Sequence, residues 1–183
     1  MISIRDLQPS DVPNITDYWF RSPPGFIEAM GVDRSKFPSE HDFIASLESK
    51  ICSSRSAPQP TAGVLAIVRD EDLVGFHTLN PIEKGDHGVF HAHIIRSKFR
   101  GQGICMTSYP LACHKFIHRF DLKRILFKTP IQNIGAIRVK EKLGIPSIGN
   151  ETISFGIMKD ETPSQVFELS RARAEQLYSA VSQ

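Results

Sequence analysis

Long apolar runs are missing from the 183 residues. No window approaches the roughly eighteen to twenty consecutive apolar residues of a membrane-crossing helix. The opening MISIRDLQPSD places charge where a secretion signal needs its apolar segment. The expectation is a cytoplasmic protein with no membrane partner. Cysteine is scarce too. Cys52, Cys105 and Cys113 are odd in number and none stands in a C-x-x-C pair, which argues against a disulfide framework and a cysteine zinc site. Internal repeats and low-complexity tracts are also absent, which excludes a solenoid. What is present, 40% hydrophobic and 23% charged residues, suits an ordinary globular chain, and residues 1–183 are read as one domain around one core.

The net charge of +2 hides an asymmetry. Residues 96–142 hold eleven Lys or Arg against Asp121 and Glu141 alone, +9 there and −7 elsewhere. Such a segment suits nucleic acid, a membrane surface, a multiply phosphorylated small molecule, or simply solvated helix faces.

Periodicity supplies the elements. ISIRDL alternates as a strand, and Ser10 or Asp11 is placed to cap a helix burying Ile15, Tyr18 and Trp19. Residues 21–40 are dense in Pro and Gly and read as loop or short turns. Ser39 and Asp42 form a capping-box pattern before a second helix, and SSRSAPQPTA is then a connecting loop. GVLAIVRD and DLVGFHTLN read as a hairpin, HGVFHAHII as a third strand. From Cys105 to Phe120 apolar residues step by three or four along a helix that Pro110 should bend. LKRILFKTPI is a strand, NIGAIRVKEKLGI a helix closed by Gly144, ETISFGIM and QVFELSR a final hairpin, and RARAEQLYSAV a last helix. Together these give a mixed α/β (α+β) domain, one sheet with helices on both faces, and a right-handed β-α-β unit that makes the strands at 87–95 and 123–129 parallel.

FRGQGIC, Phe99 to Cys105, lies between a strand and a helix. Its two glycines let the backbone approach a ligand without a Cβ in the way, and the amides of residues 101–105 form an open helix N-terminus. Free donors and the helix dipole suit phosphate oxygens, and Arg100 adds charge at the rim. Many strand-to-helix turns need glycine for geometry alone.

The run Ile95 to Cys105, IRSKFRGQGIC, closely resembles V-x-P-x-Y-R-x-x-G-x-G/A, the acyl-CoA pyrophosphate loop of the GNAT superfamily of N-acyltransferases. NIGAIRVKEKLGI, from Asn133, resembles that family's second signature, N-x-x-A/S-x-x-x-y-E-K-x-G-F. The chain looks most like the branch that acetylates protein N-termini, ribosomal proteins included. The resemblance implies a mostly antiparallel sheet of six to seven strands with one splayed parallel pair, and acetyl-CoA as co-substrate without a metal. Ile94 and Ile95 would lend backbone groups to pantetheine. Arg100, Gly101, Gln102, Gly103, Ile104 and Cys105 would wrap the pyrophosphate, and Asn133 would contact the cofactor. The basic segment then faces CoA phosphates rather than nucleic acid. Cys105 replaces the usual Gly or Ala, Ser97 the usual Pro and Ile145 the usual Phe; Cys105 reads as core rather than nucleophile.

Acyl transfer to an amine needs a base. The family's base often lies four residues before the position of Ile95, which is His91, with His93 on the same strand face in support. Lys140 stands where a tyrosine often protonates the departing thiolate; it reads as a solvated helix residue rather than a donor, so the acid is unassigned. The expected reaction is direct acetyl transfer to a protein N-terminus or small amine. Two other readings remain: a non-catalytic acyl-CoA-binding module, and a metalloenzyme built on His87, His91 and His93. A homodimer is left open.

Overall fold

A computed structural model describes residues 1–56, 63–154, 156–159 and 161–182, with the side chains of 54–56 excepted. Strand β1 is Ile2–Asp6, and helix α1 is Val12–Phe20, entered through a 3₁₀ turn at Pro9–Asp11. Asp11 does not cap α1 with its side chain. Its carboxylate instead accepts from the Gln8 amide at 2.8 Å and from both terminal nitrogens of Arg5 at 2.6 and 2.9 Å, tying the strand end to the turn. Helix α2 is Glu40–Ser56, opened by the Asp42 amide donating to Ser39 Oγ at 3.1 Å, as the capping pattern predicts. It extends into the expected 53–62 loop, whose remainder lies outside the described residues.

Strands β2 (Gly63–Arg69), β3 (Asp72–Glu83) and β4 (His87–Ile94) form an antiparallel meander. Helix α3 (Ile104–Phe120) continues through Pro110, and strand β5 (Arg124–Pro130) follows. Helix α4 is Ile134–Lys142; Gly144 follows it at φ 64°, in the left-handed region. Strands β6 (Ser147–Ile153) and β7 (Thr162–Ser170) precede helix α5, Arg171–Val181. The seven strands run in the order β1-β2-β3-β4-β5-β7-β6, antiparallel throughout except for the parallel pair β4 and β5. No helix among the described residues is long and apolar enough to cross a membrane.

The final hairpin forms with a shifted first strand. Residues 147–151 are largely exposed on the sheet edge and carry no apolar alternation, so periodicity starts the strand four residues late. In place of the expected strand end, Ile157 and Met158 turn back to residues 32 and 33: Asp33 N donates to the Ile157 carbonyl at 2.8 Å, and Val32 bridges Met158.

Two apolar layers sandwich the sheet. Phe116, Ile117, Phe120, Phe90, Phe127 and Phe167 join α3 and α5 to one face, while Ile15, Tyr18, Trp19, Leu47 and Phe76 join α1 and α2 to the other. The layers hold β3, β4 and β5 rigidly at the place where β4 and β5 separate.

Candidate active site

β4 and β5 pair at three positions only, His87 with Arg124, Gly88 with Ile125 and Val89 with Leu126. Both strands continue past that point, β4 still held by β3 and β5 by β7, so a gap opens between them. Backbone groups alternate sides along an antiparallel ladder. The Ile95 amide donates to the Val74 carbonyl at 3.0 Å, so positions 95 and 93 face β3, and the peptide groups of Phe90, Ala92 and Ile94 face the gap. Of the backbone groups expected from Ile94 and Ile95, the Ile95 amide is therefore committed to the sheet. The Ile94 carbonyl accepts from Arg100 Nε at 3.1 Å. What Ile94 turns toward the gap is its amide.

Gly101 and Gly103 have φ of 73° and 74°, the left-handed region that other residues enter at a cost. A Cβ built on either would meet nothing within 4 Å, so the space beyond them is open. Arg100 N donates to Ser97 O and Met106 N to Gly103 O; between them, the amides of residues 101–105 donate to no protein group among the described residues. Gln102 is anchored, accepting from Arg69 Nη1 and donating to the Lys98 carbonyl, each at 2.6 Å. The Ile104 side chain is buried with Ile67 and Val74, leaving only its backbone to the turn. Asn133 Oδ1 accepts from Ala136 N at 3.2 Å and caps α4.

Arg100 differs from expectation. Its guanidinium lies 3.9 Å over the Phe26 ring and bonds the Ile94 carbonyl, so its charge is held at the base of the turn instead of its rim. The basic segment is likewise partly neutralised away from the turn. Arg124 pairs with Asp86 and Glu168, Lys115 and Arg119 with Asp6, and Lys128 with Glu151.

His91 and His93 lie on one face of β4, as the two-residue period requires. His91 Nε2 is 3.2 Å from the Asn80 carbonyl. A carbonyl only accepts, so Nε2 carries the hydrogen and Nδ1 is the basic nitrogen of the neutral ring. Burial holds the His91 pKa below its ordinary value, with the nearby Lys140 charge acting in the same direction. His93 sits in an aromatic cage, stacked on Phe76 at 4.8 Å and edge-on to Trp19 and Tyr18, with Nδ1 3.2 Å from the Tyr18 hydroxyl. Burial pushes its pKa down to about 3. Among the described residues no cluster of potential metal ligands includes His91 or His93, and His87 turns to Asp86 at 2.9 Å, which removes the support for a centre built on those three histidines.

Lys140 overturns the solvated reading. It is 4% exposed, and Nζ stands 5.7 Å from the ring centroids of both Tyr109 and Phe127. Phe127 immediately follows Leu126, the last β5 residue paired to β4, so the ammonium sits at the origin of the gap. No carboxylate or hydrogen-bond acceptor partners it among the described residues. Burial lowers its pKa to about 8. Burial also pushes the neighbouring Cys105 thiol up to about 11, leaving it protonated. The sequence signal for Lys140 was its motif position; its burial depends on the packing of α4 over β5.

One further histidine escaped sequence reading. His77 on β3 is fully buried against Phe90 and Tyr109, and among the described residues no group meets hydrogen-bond geometry with either ring nitrogen. Burial takes its pKa from 6.5 to about 3. Between those values the unfolded chain binds a proton that the folded chain refuses, so stability falls with falling pH, by about 1.4 kcal/mol per unit for each such group. His77 and His93 together predict acid unfolding starting below about pH 6. His77→Leu should raise the melting temperature, and by an amount that grows from pH 7 to pH 4.5. Parallel curves for variant and parent would show that His77 is not the group responsible.

Residues 2–145 match the family described as acetyltransferase (GNAT) domain. The chain belongs to that family, whose members transfer an acetyl group from acetyl-CoA to an amine. A search of curated proteins found no match. Solved structures share the fold. An acetyltransferase from Salmonella typhimurium that modifies the N-terminal serine of ribosomal protein L7/L12 is 15% identical, with a TM-score of 0.73 over 92% of this chain and 94% of that one. RimJ of Mycobacterium smegmatis, in complex with CoA-disulfide, is 13% identical with a TM-score of 0.75 over 98% and 88%. A spermidine N-acetyltransferase mutant from Vibrio cholerae is 15% identical with a TM-score of 0.72 over 94% and 95%.

Proposed function

We propose that this enzyme acetylates a primary amine, a peptide N-terminus or a small amine, by direct transfer across the β4–β5 gap. The observation that carries the reading is the junction of that gap with the N-terminus of α3, where the amides of residues 101–105 have no partner among the described residues. The amides and the helix dipole receive the diphosphate of acetyl-CoA, and the pantetheine arm follows the unpaired edge of β4. An amide of that edge, at Ile94, stabilises the oxyanion formed at the thioester carbonyl.

His91 and Lys140 flank the reacting centre from opposite faces of the sheet. His91 Nδ1 takes the proton of the attacking amine; the Asn80 carbonyl, bonded to Nε2–H, orients the ring and favours the imidazolium that forms. As the carbon–sulfur bond breaks, the Lys140 ammonium gives its proton to the departing sulfur. His93 acts by support, its cage fixing the strand beside His91. Residues 31–33 and 157–159 are joined by backbone hydrogen bonds, and this supports their forming a single wall on the acceptor side of the gap.

The test is release of free thiol from acetyl-CoA over a panel of amines and peptide N-termini. Acceptor-dependent release is expected. Acetyl-CoA binding without release on any acceptor would favour a binding module. Gly103→Asn keeps a residue that tolerates φ near 74° and places its side chain in space empty of protein, so the fold should persist while the KM for acetyl-CoA rises about tenfold or more. An unchanged KM would place the diphosphate elsewhere.

A further inference from the structure

A second cluster lies away from the gap, where α3 meets α5. His114 and His118, four residues apart, occupy one face of α3, and Glu175 faces them from α5. His114 Nε2 is 3.1 Å from Glu175 Oε2, and His118 Nε2 is 2.6 Å from Oε1. The three ligand atoms lie within 4.8 Å of one another. His114 is stacked on Tyr178 of α5 at 3.8 Å and 10°, which fixes its ring plane, and the two imidazole centroids are 4.4 Å apart. The cluster borders a groove of about 920 Å³ between β1, α3 and α5.

We propose that His114, His118 and Glu175 bind a divalent transition-metal ion of the zinc class, clipping α5 onto α3. Two imidazole nitrogens and one carboxylate oxygen are the donor set such an ion takes, at bond lengths of about 2.0–2.2 Å and with a fourth position open to water. Those lengths require ligands about 3.3 Å apart in a tetrahedron. His114 Nε2 and Glu175 Oε2 already stand close to that spacing, while His118 Nε2 lies beside the other oxygen, so a small turn and withdrawal of the carboxylate brings one oxygen into position with both rings, the three ligand atoms lying within 4.8 Å of one another. Glu175 has room to do so, its side chain being 42% exposed. The hydrogens now on Nε2 move to Nδ1 through solvent, so two neutral imidazoles bind with no net proton release; a ring protonated beforehand gives up one proton.

The alternative role for these residues is a pair of surface hydrogen bonds from two imidazoles to one carboxylate, an arrangement that contributes little. A chelate joining two helices stabilises the folded chain by mass action. His114 is ten residues beyond Ile104, about 15 Å along the helix from the glycine turn, so the ion takes no part in acetyl transfer. The inference is independent of the reading of the gap.

The test uses tag-free, chelator-treated full chain titrated with Zn²⁺ in a calorimeter, with Co²⁺ absorption to report the geometry. One ion per chain, with a Kd in the micromolar range or tighter, a tetrahedral Co²⁺ spectrum and a raised melting temperature are expected. His118→Ala and Glu175→Gln should each weaken binding at least tenfold without altering acetyl-CoA turnover. Absence of binding overturns the proposal. So does undiminished binding in the double variant, which would assign the ion to Cys52 or to the Glu83, Asp86 and His87 group.

Discussion

Substituting His91 by glutamine is expected to lower kcat at neutral pH by about 10²- to 10⁴-fold, with the KM for acetyl-CoA nearly unchanged. Glutamine keeps a donor for the Asn80 carbonyl, so the local bond survives while the base is removed. The pH dependence makes the assignment specific. His91 must be neutral to accept a proton, and burial holds its pKa below 6.5, so activity in the parent enzyme should rise with pH along a limb lying below that value. The profile is best measured with an acceptor whose own amine is already neutral across that range. The limb should vanish in the variant. Its persistence would transfer the base to another group, and an equal loss in cofactor affinity would reduce His91 to a structural role.

Lys140→Met is the second large effect, and it moves activity and stability in opposite directions. The folded chain holds this ammonium with a pKa of about 8 against 10.5 for an unperturbed lysine. A buried cation with no anionic partner among the described residues opposes folding while it is protonated in both states, which is the case below pH 8. Between pH 8 and 10.5 the folded chain has released a proton that the unfolded chain retains, so the parent should gain stability as pH rises through that window, by up to about 3 kcal/mol. Methionine removes the charge and fills similar volume. At pH 7 the variant should melt about 5–10 °C higher, and the alkaline gain should be absent.

Turnover should fall by about 10²-fold, and the decline of the parent's rate above pH 8 should disappear, because that decline records loss of the donated proton. Lys140→Tyr should recover part of the rate, with the alkaline limb moved upward toward the phenol range. A variant both less stable and fully active would show that Lys140 is a packing residue. A gain in stability together with loss of rate is the pattern of a site held in a state the fold alone would not choose.

The turn Arg100 to Cys105 could be read because its chemistry is local. Glycines that adopt φ near +74° and helix amides left without acceptors follow from consecutive residues and need no distant partner. His91 could be placed because strand periodicity sets the face of a side chain two residues at a time. The shifted start of β6 could not, since an exposed edge strand lacks the apolar alternation that periodicity detects.

Local order therefore determined the succession of elements, the parallel crossover from β4 to β5 and the phosphate-ready turn. The tertiary structure decided the rest: that Lys140 is enclosed against Tyr109 and Phe127, that Arg100 folds under Phe26, that His77 is stranded among aromatic rings, and that Glu175 meets two histidines of another helix. Burial and ion pairing are properties of surfaces brought together by packing from far apart in the chain. A charge on a helix reads the same in sequence whether the face it occupies meets water or the wall of a sheet.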